Sequence, residues 1–393
     1  MKKKLKVNIG VVGRFHLFDL AFQFKRYGVL NRLITTYPKY IAKKWNIPNS
    51  FVVSNLFLEF LNRLNQFNFL KNSEILSNFL HRFIMKSQAK SCSAFLKECD
   101  IFIGASSSSL ETLIKSKNLG KMTILERGSP HIRFQIDNIK KDKAIYKSKL
   151  NFKINQINLK RDLLEYKLAD YISVPSTFCK NTFLKYGVNK KKLIVNPYGV
   201  NLKNFKPKKK KDKIFRIIFS GGASFRKGYH LLLRAFNELN LSNAEVWHLG
   251  NINQEMQLML DRYKNNKWIL KGTIQQEKLS NFYSQGSVLI LPSSDEGLSL
   301  VTLQAMACEL PLICTHNTGV GDIIKNTKEG FIIPSRNINI LKKKILYLYN
   351  NQVLAKKMGI LGRKRVLKNC SWNHYGDRYY KIIKQLYKLH HQK

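Results

Sequence analysis

The chain has 393 residues, with 69 Lys and Arg against 24 Asp and Glu, a formal charge of +45. Hydrophobic residues make up 44% and aromatic residues 11%, enough for packed cores, which excludes a disordered basic tail. Only 21 Gly and 9 Pro exclude a collagen-like or Pro/Gly-rich chain, and at about 100–200 residues per domain the length points to two domains.

The charge sits in runs such as Lys2-Lys3-Lys4, Lys190-Lys191-Lys192 and Lys208-Lys209-Lys210-Lys211. Such runs form a solvated lysine-rich surface, or they attract nucleotide phosphates, an anionic membrane face or nucleic acid. Six scattered cysteines (Cys92, Cys99, Cys179, Cys308, Cys314, Cys370) form no CxxC pair, so neither a zinc site nor a disulfide scaffold is indicated, and the usage fits a reducing cytosol. The first apolar run, Leu5–Val12, is too short for a transmembrane helix and no cleavage signature follows it, so a cytoplasmic location is expected.

In chain order, short apolar runs predict strands at Val7–Val12, Leu33–Thr36, Ile101–Gly104, Met122–Leu125, Tyr171–Val174 and Leu193–Val195. A second series follows at Ile214–Phe219, Val246–Leu249, Trp268–Leu270, Val288–Leu291, Leu312–Cys314 and Phe331–Ile333. Stretches with helical spacing lie between them, such as Leu231–Leu239, Leu341–Leu348 and Leu354–Val366. Buried strands alternating with helices predict an α/β protein with parallel sheets covered on both faces. The two series meet around the turn Asn196-Pro197-Tyr198-Gly199 and the lysine-rich stretch 206–213.

Two stretches stand apart. Phe57, Phe60, Leu61, Leu64 and Phe67, then Ile75, Leu76, Phe79, Leu80 and Phe83, recur at helical spacing. They predict core-facing helices, with a membrane-touching amphipathic surface as the other reading. In 138–161, Lys140, Lys141, Lys143, Lys147, Lys149, Lys153 and Lys160 interleave with Ile145, Tyr146, Leu150, Phe152, Ile154 and Ile157. That pattern fits a solvated segment or contact with anionic lipid.

The chemistry concentrates in Pro292-Ser293-Ser294-Asp295-Glu296-Gly297-Leu298-Ser299, which follows the run Val288–Leu291 and precedes a helix over Leu300–Ala307. Gly297 would let a ligand approach the backbone, and the free amides at the helix start offer an anion site. Gln304, eight residues beyond Glu296, can reach the same ligand from that helix; otherwise Asp295 and Glu296 merely favour the helix N-terminus. A second Gly-rich strand-to-helix loop, Ser220-Gly221-Gly222-Ala223-Ser224-Phe225-Arg226-Lys227-Gly228, combines close backbone approach with two cations suited to phosphate. In the first half, Gly10-Val11-Val12-Gly13-Arg14-Phe15-His16 follows the first strand, and Glu126-Arg127-Gly128-Ser129-Pro130-His131 sets His131 just beyond another.

Glu296 followed by seven residues and then Gln304 resembles the donor-site motif of retaining glycosyltransferase family 4 (glycosyl transferases group 1), in which the second position is also Glu. The loop 219–228, Asp170–Ser176, Asn196–Val200 and the closing stretch from Trp372 resemble family segments as well, although the family's Arg place is Gly222 here. The resemblance implies the GT-B fold, two Rossmann-like domains facing a cleft. Its boundaries would be 1–200 for the acceptor side, 201–370 for the donor side and 371–393 for a helix returning to the first domain. It further implies transfer of a hexose-type sugar, with retention, from a nucleotide diphosphate sugar to a glycan or lipid-linked acceptor in lipopolysaccharide, capsule or exopolysaccharide synthesis. Glu296 and His131 would be catalytic; Gly222, Arg226, Lys227, Gly297, Leu298, Ser299 and Gln304 would bind the donor; Gly13, Arg14 and His16 would form an acceptor-side loop. No cofactor and no metal are expected, and an anionic membrane surface joins donor and acceptor as an expected partner. A sugar-nucleotide epimerase and a catalytically weak binding subunit on the same fold stay open. A basic nucleic-acid-binding protein is the reading from another class, opposed by the wide spread of the charge and the lack of a nucleic-acid motif.

Overall fold

The apolar runs pair into two all-parallel sheets in the computed structural model, which describes residues 4–65, 73–146, 156–252, 254–263, 265–390 and 392. The first domain holds β1 (Val7–Val11), β2 (Leu30–Thr35), β3 (Val52–Ser54), β4 (Ile101–Ala105), β5 (Met122–Glu126), β6 (Tyr171–Val174) and β7 (Leu193–Val195), in the order β3-β2-β1-β4-β5-β6-β7. The second holds β8 (Phe215–Ser220), β9 (Ala244–Leu249), β10 (Trp268–Gly272), β11 (Val288–Leu291), β12 (Leu312–Thr315) and β13 (Gly330–Ile333), in the order β10-β9-β8-β11-β12-β13. Each of the twelve expected runs overlaps a strand. The short edge strand β3 was hidden by the helical spacing of the residues after it.

Parallel neighbours need crossovers, and helices supply them while burying both sheet faces. Central strands β8 and β11 are accordingly buried at every residue. The helices that matter below are α1 (Leu17–Arg26), α2 (Leu56–Leu64), α3 (Glu74–Ala94), α4 (Ile132–Tyr146), α5 (Tyr229–Leu239), α6 (Leu300–Ala307) and α7 (Trp372–His390). After the second sheet the chain returns to the first domain through α7. Tyr379 packs edge-on against Phe24 of α1, and Tyr380 stacks on Tyr27 with centroids 4.0 Å apart.

Each sheet reverses its strand order once, between β1 and β4 and between β8 and β11. There the loops leaving two adjacent strands turn to opposite faces, opening a crevice outside the carboxyl ends. The two crevices fix where chemistry can happen.

The expectation of core-facing helices in the Phe-rich stretch is corrected. Leu58 of α2 and Ile84 of α3 are buried with Val12 in a small separate cluster. Phe57, Phe60, Ile75, Phe79 and Phe83, however, are 42–85% exposed. The stripe by which the helix pair contacts the domain is narrower than its run of apolar residues, and the surplus faces solvent. Phe67 lies outside the described residues. So do Lys147, Lys149, Leu150, Phe152, Lys153 and Ile154 of the lysine-apolar stretch. Among the described residues, no helix is long and apolar enough to cross a membrane.

Candidate functional site

At the second reversal point the loops after β8 and β11 are packed backbone to backbone. Gly228 has φ 69°, and a Cβ there would come 2.2 Å from the Pro292 carbonyl, so only glycine fits. The Ser294 amide donates to the Arg226 carbonyl at 2.7 Å. This stitching sets both basic side chains against the motif carboxylate. Lys227 Nζ lies 2.6 Å and Arg226 Nη1 3.1 Å from Glu296 Oε1, and Arg226 Nη1 also donates to the Asp295 carbonyl at 2.8 Å. Burial pushes the Glu296 carboxyl up, but Lys227 and then Arg226 outweigh it and hold the group below its ordinary range. Asp295, fully buried, goes the other way: burial raises its carboxyl and Arg226 offsets this only in part. Arg226 is the exposed member, with 40% of its side chain open to solvent.

Gln304 joins the same crevice from α6. Its Oε1 accepts from Tyr283 Oη at 3.3 Å, and Tyr283 Oη lies 2.8 Å from Ser220 Oγ at the end of β8. Gly222 sits at the turn, where a Cβ would come 2.8 Å from Asn251 Oδ1. Leu298 and Ser299 are buried, and the Ser299 hydroxyl makes no capping bond to α6.

The expected role of Gly297 in admitting a ligand is corrected. A Cβ there would come 1.9 Å from the Gly128 carbonyl of the first domain, and the Gly297 carbonyl accepts from Ser176 Oγ at 2.6 Å. Gly297 therefore permits contact between the domains. A second interdomain contact has no sequence signal. Arg336, at φ 61° in the loop after β13, donates through Nε to Asp142 of α4 at 2.6 Å, and Ser294 Oγ donates to Asp142 at 3.3 Å. Nothing in the composition of these loops marks an arginine in a left-handed conformation reaching another domain.

At the first reversal point the loops after β1 and β4 border a cavity of about 680 Å³. Gly13 and Arg14 line it from the first loop, Ser107 from the second, Arg63 from α2 and His81 from α3. The Gly13 amide donates to Thr36 Oγ1 at 2.9 Å, and the Arg14 guanidinium lies over the Trp45 ring. His16 parts from this loop: its Nε2 lies 2.8 Å from Glu126 Oε2, and its ring packs on Tyr198.

The expected catalytic role of His131 is corrected too. This residue is 2% exposed, stacked on Tyr186 and packed against Tyr166 and Phe183 inside the first domain. Burial, then Arg127 and Arg133, push its imidazole down to about 4, so it is neutral at physiological pH. Nδ1 accepts from the Arg133 amide at 3.2 Å, and the ring helps fix the start of α4. A position just past a strand end is necessary for a cleft residue but does not aim its side chain.

Residues 201–365 match the family described as glycosyl transferases group 1. An uncharacterised glycosyltransferase of Methanocaldococcus jannaschii is 30% identical over 155 residues, 39% of this chain and 44% of that protein. The capsular polysaccharide biosynthesis glycosyltransferase CapM of Staphylococcus aureus is 27% identical over 169 residues, 40% of this chain and 44% of that protein. Both matches thus span less than half of the relative's length. HepE of Anabaena, solved with UDP and glucose, superposes with a TM-score of 0.71 at 12% identity, covering 97% of this chain and all of that one. The chain as a whole has the GT-B fold, and its second domain is similar to the glycosyl transferases group 1.

Proposed function

We propose that the protein is a glycosyltransferase that moves a hexose-type sugar from a nucleotide diphosphate sugar to a glycan or lipid-linked acceptor in cell-surface polysaccharide synthesis, working peripherally at the cytoplasmic face of the membrane. The carrying observation is the junction of Arg226 and Lys227 with Glu296 at the second reversal point. A departing nucleoside diphosphate develops negative charge, and two fixed cations beside a Gly-rich turn stabilise it where it forms. Glu296, held ionised by those cations, is the group placed to orient the sugar and stabilise an oxocarbenium-like centre. With His131 turned into the first domain, Glu296 stands as the catalytic side chain of this reading. Retention follows from same-face attack, in which the departing phosphate takes the acceptor's proton and no protein nucleophile is needed. The acceptor enters from the first-domain cavity bordered by Gly13 and Arg14. The capsular role named for CapM supports the glycan class, and the UDP bound by HepE makes UDP-hexoses the first donors to try.

The test is to incubate the protein with UDP-hexoses and follow nucleoside diphosphate release together with the anomeric signal of the product by NMR. Release accompanied by an axial product from an axial donor is expected. A free epimerised sugar nucleotide made without an acceptor would select the epimerase instead. Donor binding without turnover would select the binding subunit, and a salt-dependent gel shift without donor binding the nucleic-acid reading.

Gln304 meets the ribose in this reading, because its amide shares the end of β8 with Ser220. Gln304→Ala should weaken nucleoside diphosphate binding by ~1–2 kcal/mol, one hydrogen bond to a buried partner. Gln304→Glu, which keeps the acceptor oxygen, should bind as well or better. Calorimetry checks both, and unchanged affinity in the Ala variant would place the ribose elsewhere.

A further inference from the structure

The helix pair α2 and α3 has two working faces. Its inner face walls the first-domain cavity, with Glu59, Asn62 and Arg63 from α2 and His81 and Met85 from α3. Its outer face carries Phe57 and Phe60 on one helix and Ile75, Phe79 and Phe83 on the other, all exposed. Scattered surface hydrophobes need no explanation, but two aromatic stripes side by side on adjacent helices mark a contact surface.

The charges around the stripes identify the partner. Arg82, Lys86 and Lys90 are exposed on α3, and Arg63 is exposed on the cavity side of α2. The acidic Glu59 is buried, with Oε1 taken by Arg63 Nε at 2.9 Å and Oε2 by Thr36 Oγ1 at 2.7 Å. Among the described side chains of α2 and α3, every exposed charge is therefore positive. Aromatic side chains between long cationic stems that can reach outward suit the headgroup layer of a bilayer, with rings at acyl depth and amines at the phosphates. A second copy of this chain would bring the same cations face to face, so charge complementarity favours lipid over self-association. With no described helix able to span, the pair would lie in the interface plane.

We propose that the outer face of α2 and α3 docks on an anionic phospholipid bilayer and holds the mouth of the first-domain cavity at the headgroup layer. The proposal rests on the reading that the acceptor enters through that cavity, and it makes the acceptor one carried in the membrane. Of the two stretches that the sequence offers for membrane contact, the proposal concerns the helix pair; residues 147–155 of the other lie outside the described residues.

The experiment is co-sedimentation of the full chain with vesicles of phosphatidylcholine and phosphatidylglycerol in equal parts, and with phosphatidylcholine alone. Binding is expected only with the anionic lipid and should fall as salt is raised. Changing Phe57, Phe60, Phe79 and Phe83 together to Ser should reduce the bound fraction about tenfold or more. Nucleoside diphosphate binding, measured by calorimetry on the same samples, should not change, which separates this surface from the donor site. Phe79→Trp should gain emission quenching by lipids brominated on the acyl chain, relative to the wild type. Wild-type binding that ignores the four substitutions, or emission of the Phe79→Trp variant quenched by brominated lipid no more than that of the wild type, would overturn the proposal. So would a dimer in the absence of vesicles that the four substitutions dissociate, since that face would then be covered by a second copy.

Discussion

Glu296→Gln should lower kcat about 100-fold, a transition-state loss of ~3 kcal/mol, while nucleoside diphosphate binds at least as tightly as before. The two halves of this result have one cause. Glu296 balances the charge of Lys227 and Arg226, at 2.6 and 3.1 Å. In the proposed reading a bound diphosphate would compete with Glu296 for those cations, and as it took them over the carboxylate would be released toward the sugar. Glutamine keeps the shape and removes the charge. The cations are then left freer for the diphosphate, and the positive sugar centre loses its counter-charge. A split between affinity and turnover is thus the signature of a residue acting in the transition state. Steady-state kinetics and calorimetry on the same variant check it. Near-normal turnover in a folded variant would remove Glu296 from the chemistry.

The architecture was legible because its signal is periodic. Val288–Leu291 is apolar at every position and Ile214–Phe219 at all but Arg216; runs this short between turn residues fit strands buried on both faces, and both lie in central strands. The crevice at the second reversal point was legible for a related reason. Gly228 and Glu296 sit just past strand ends, and a parallel sheet sends all its strand ends to one side, so residues from distant loops must meet there. What failed was direction. His131 also follows a strand end, but α4 begins beside it and turns the ring into the aromatic cluster of Tyr166, Phe183 and Tyr186. Gly297 was read as space for a ligand, and the space is filled by the Gly128 carbonyl of the other domain. The Phe57 to Phe83 stretch was read as core because helical spacing reports one-sidedness and not which side is dry. Arg336 was invisible because an interdomain ion pair depends on the relative placement of two domains, which no local pattern encodes.

Replacing Arg226 and Lys227 together by Ala should reduce kcat/KM for the sugar nucleotide by about 1,000-fold or more, with donor KM raised and kcat lowered, since each charge-assisted bond to phosphate is worth ~1.5–3 kcal/mol. The wild type should keep its activity in EDTA, because in the proposed reading these two side chains would supply the positive charge that the diphosphate needs. Strict dependence on Mg²⁺ or Mn²⁺ would contradict that assignment. The double variant also tests the electrostatics of Glu296 by a route that its own substitution cannot. In the wild type, burial raises this carboxyl and the two cations lower it further than burial lifts it. A group held low in the folded protein stays ionised as pH falls through the ordinary carboxylate range, so Glu296 should contribute no acid limb there. With both cations removed only burial remains, and the carboxyl should move above its ordinary range. The residual activity of the double variant should therefore fall off on the acid side at a higher pH than the wild type does. Arg226→Lys with Lys227 intact should leave the acid limb in place and weaken the donor only in part, because it keeps the charge but loses the planar fork. An acid limb that does not move in the double variant would mean that Glu296 is not the ionised group on which turnover depends.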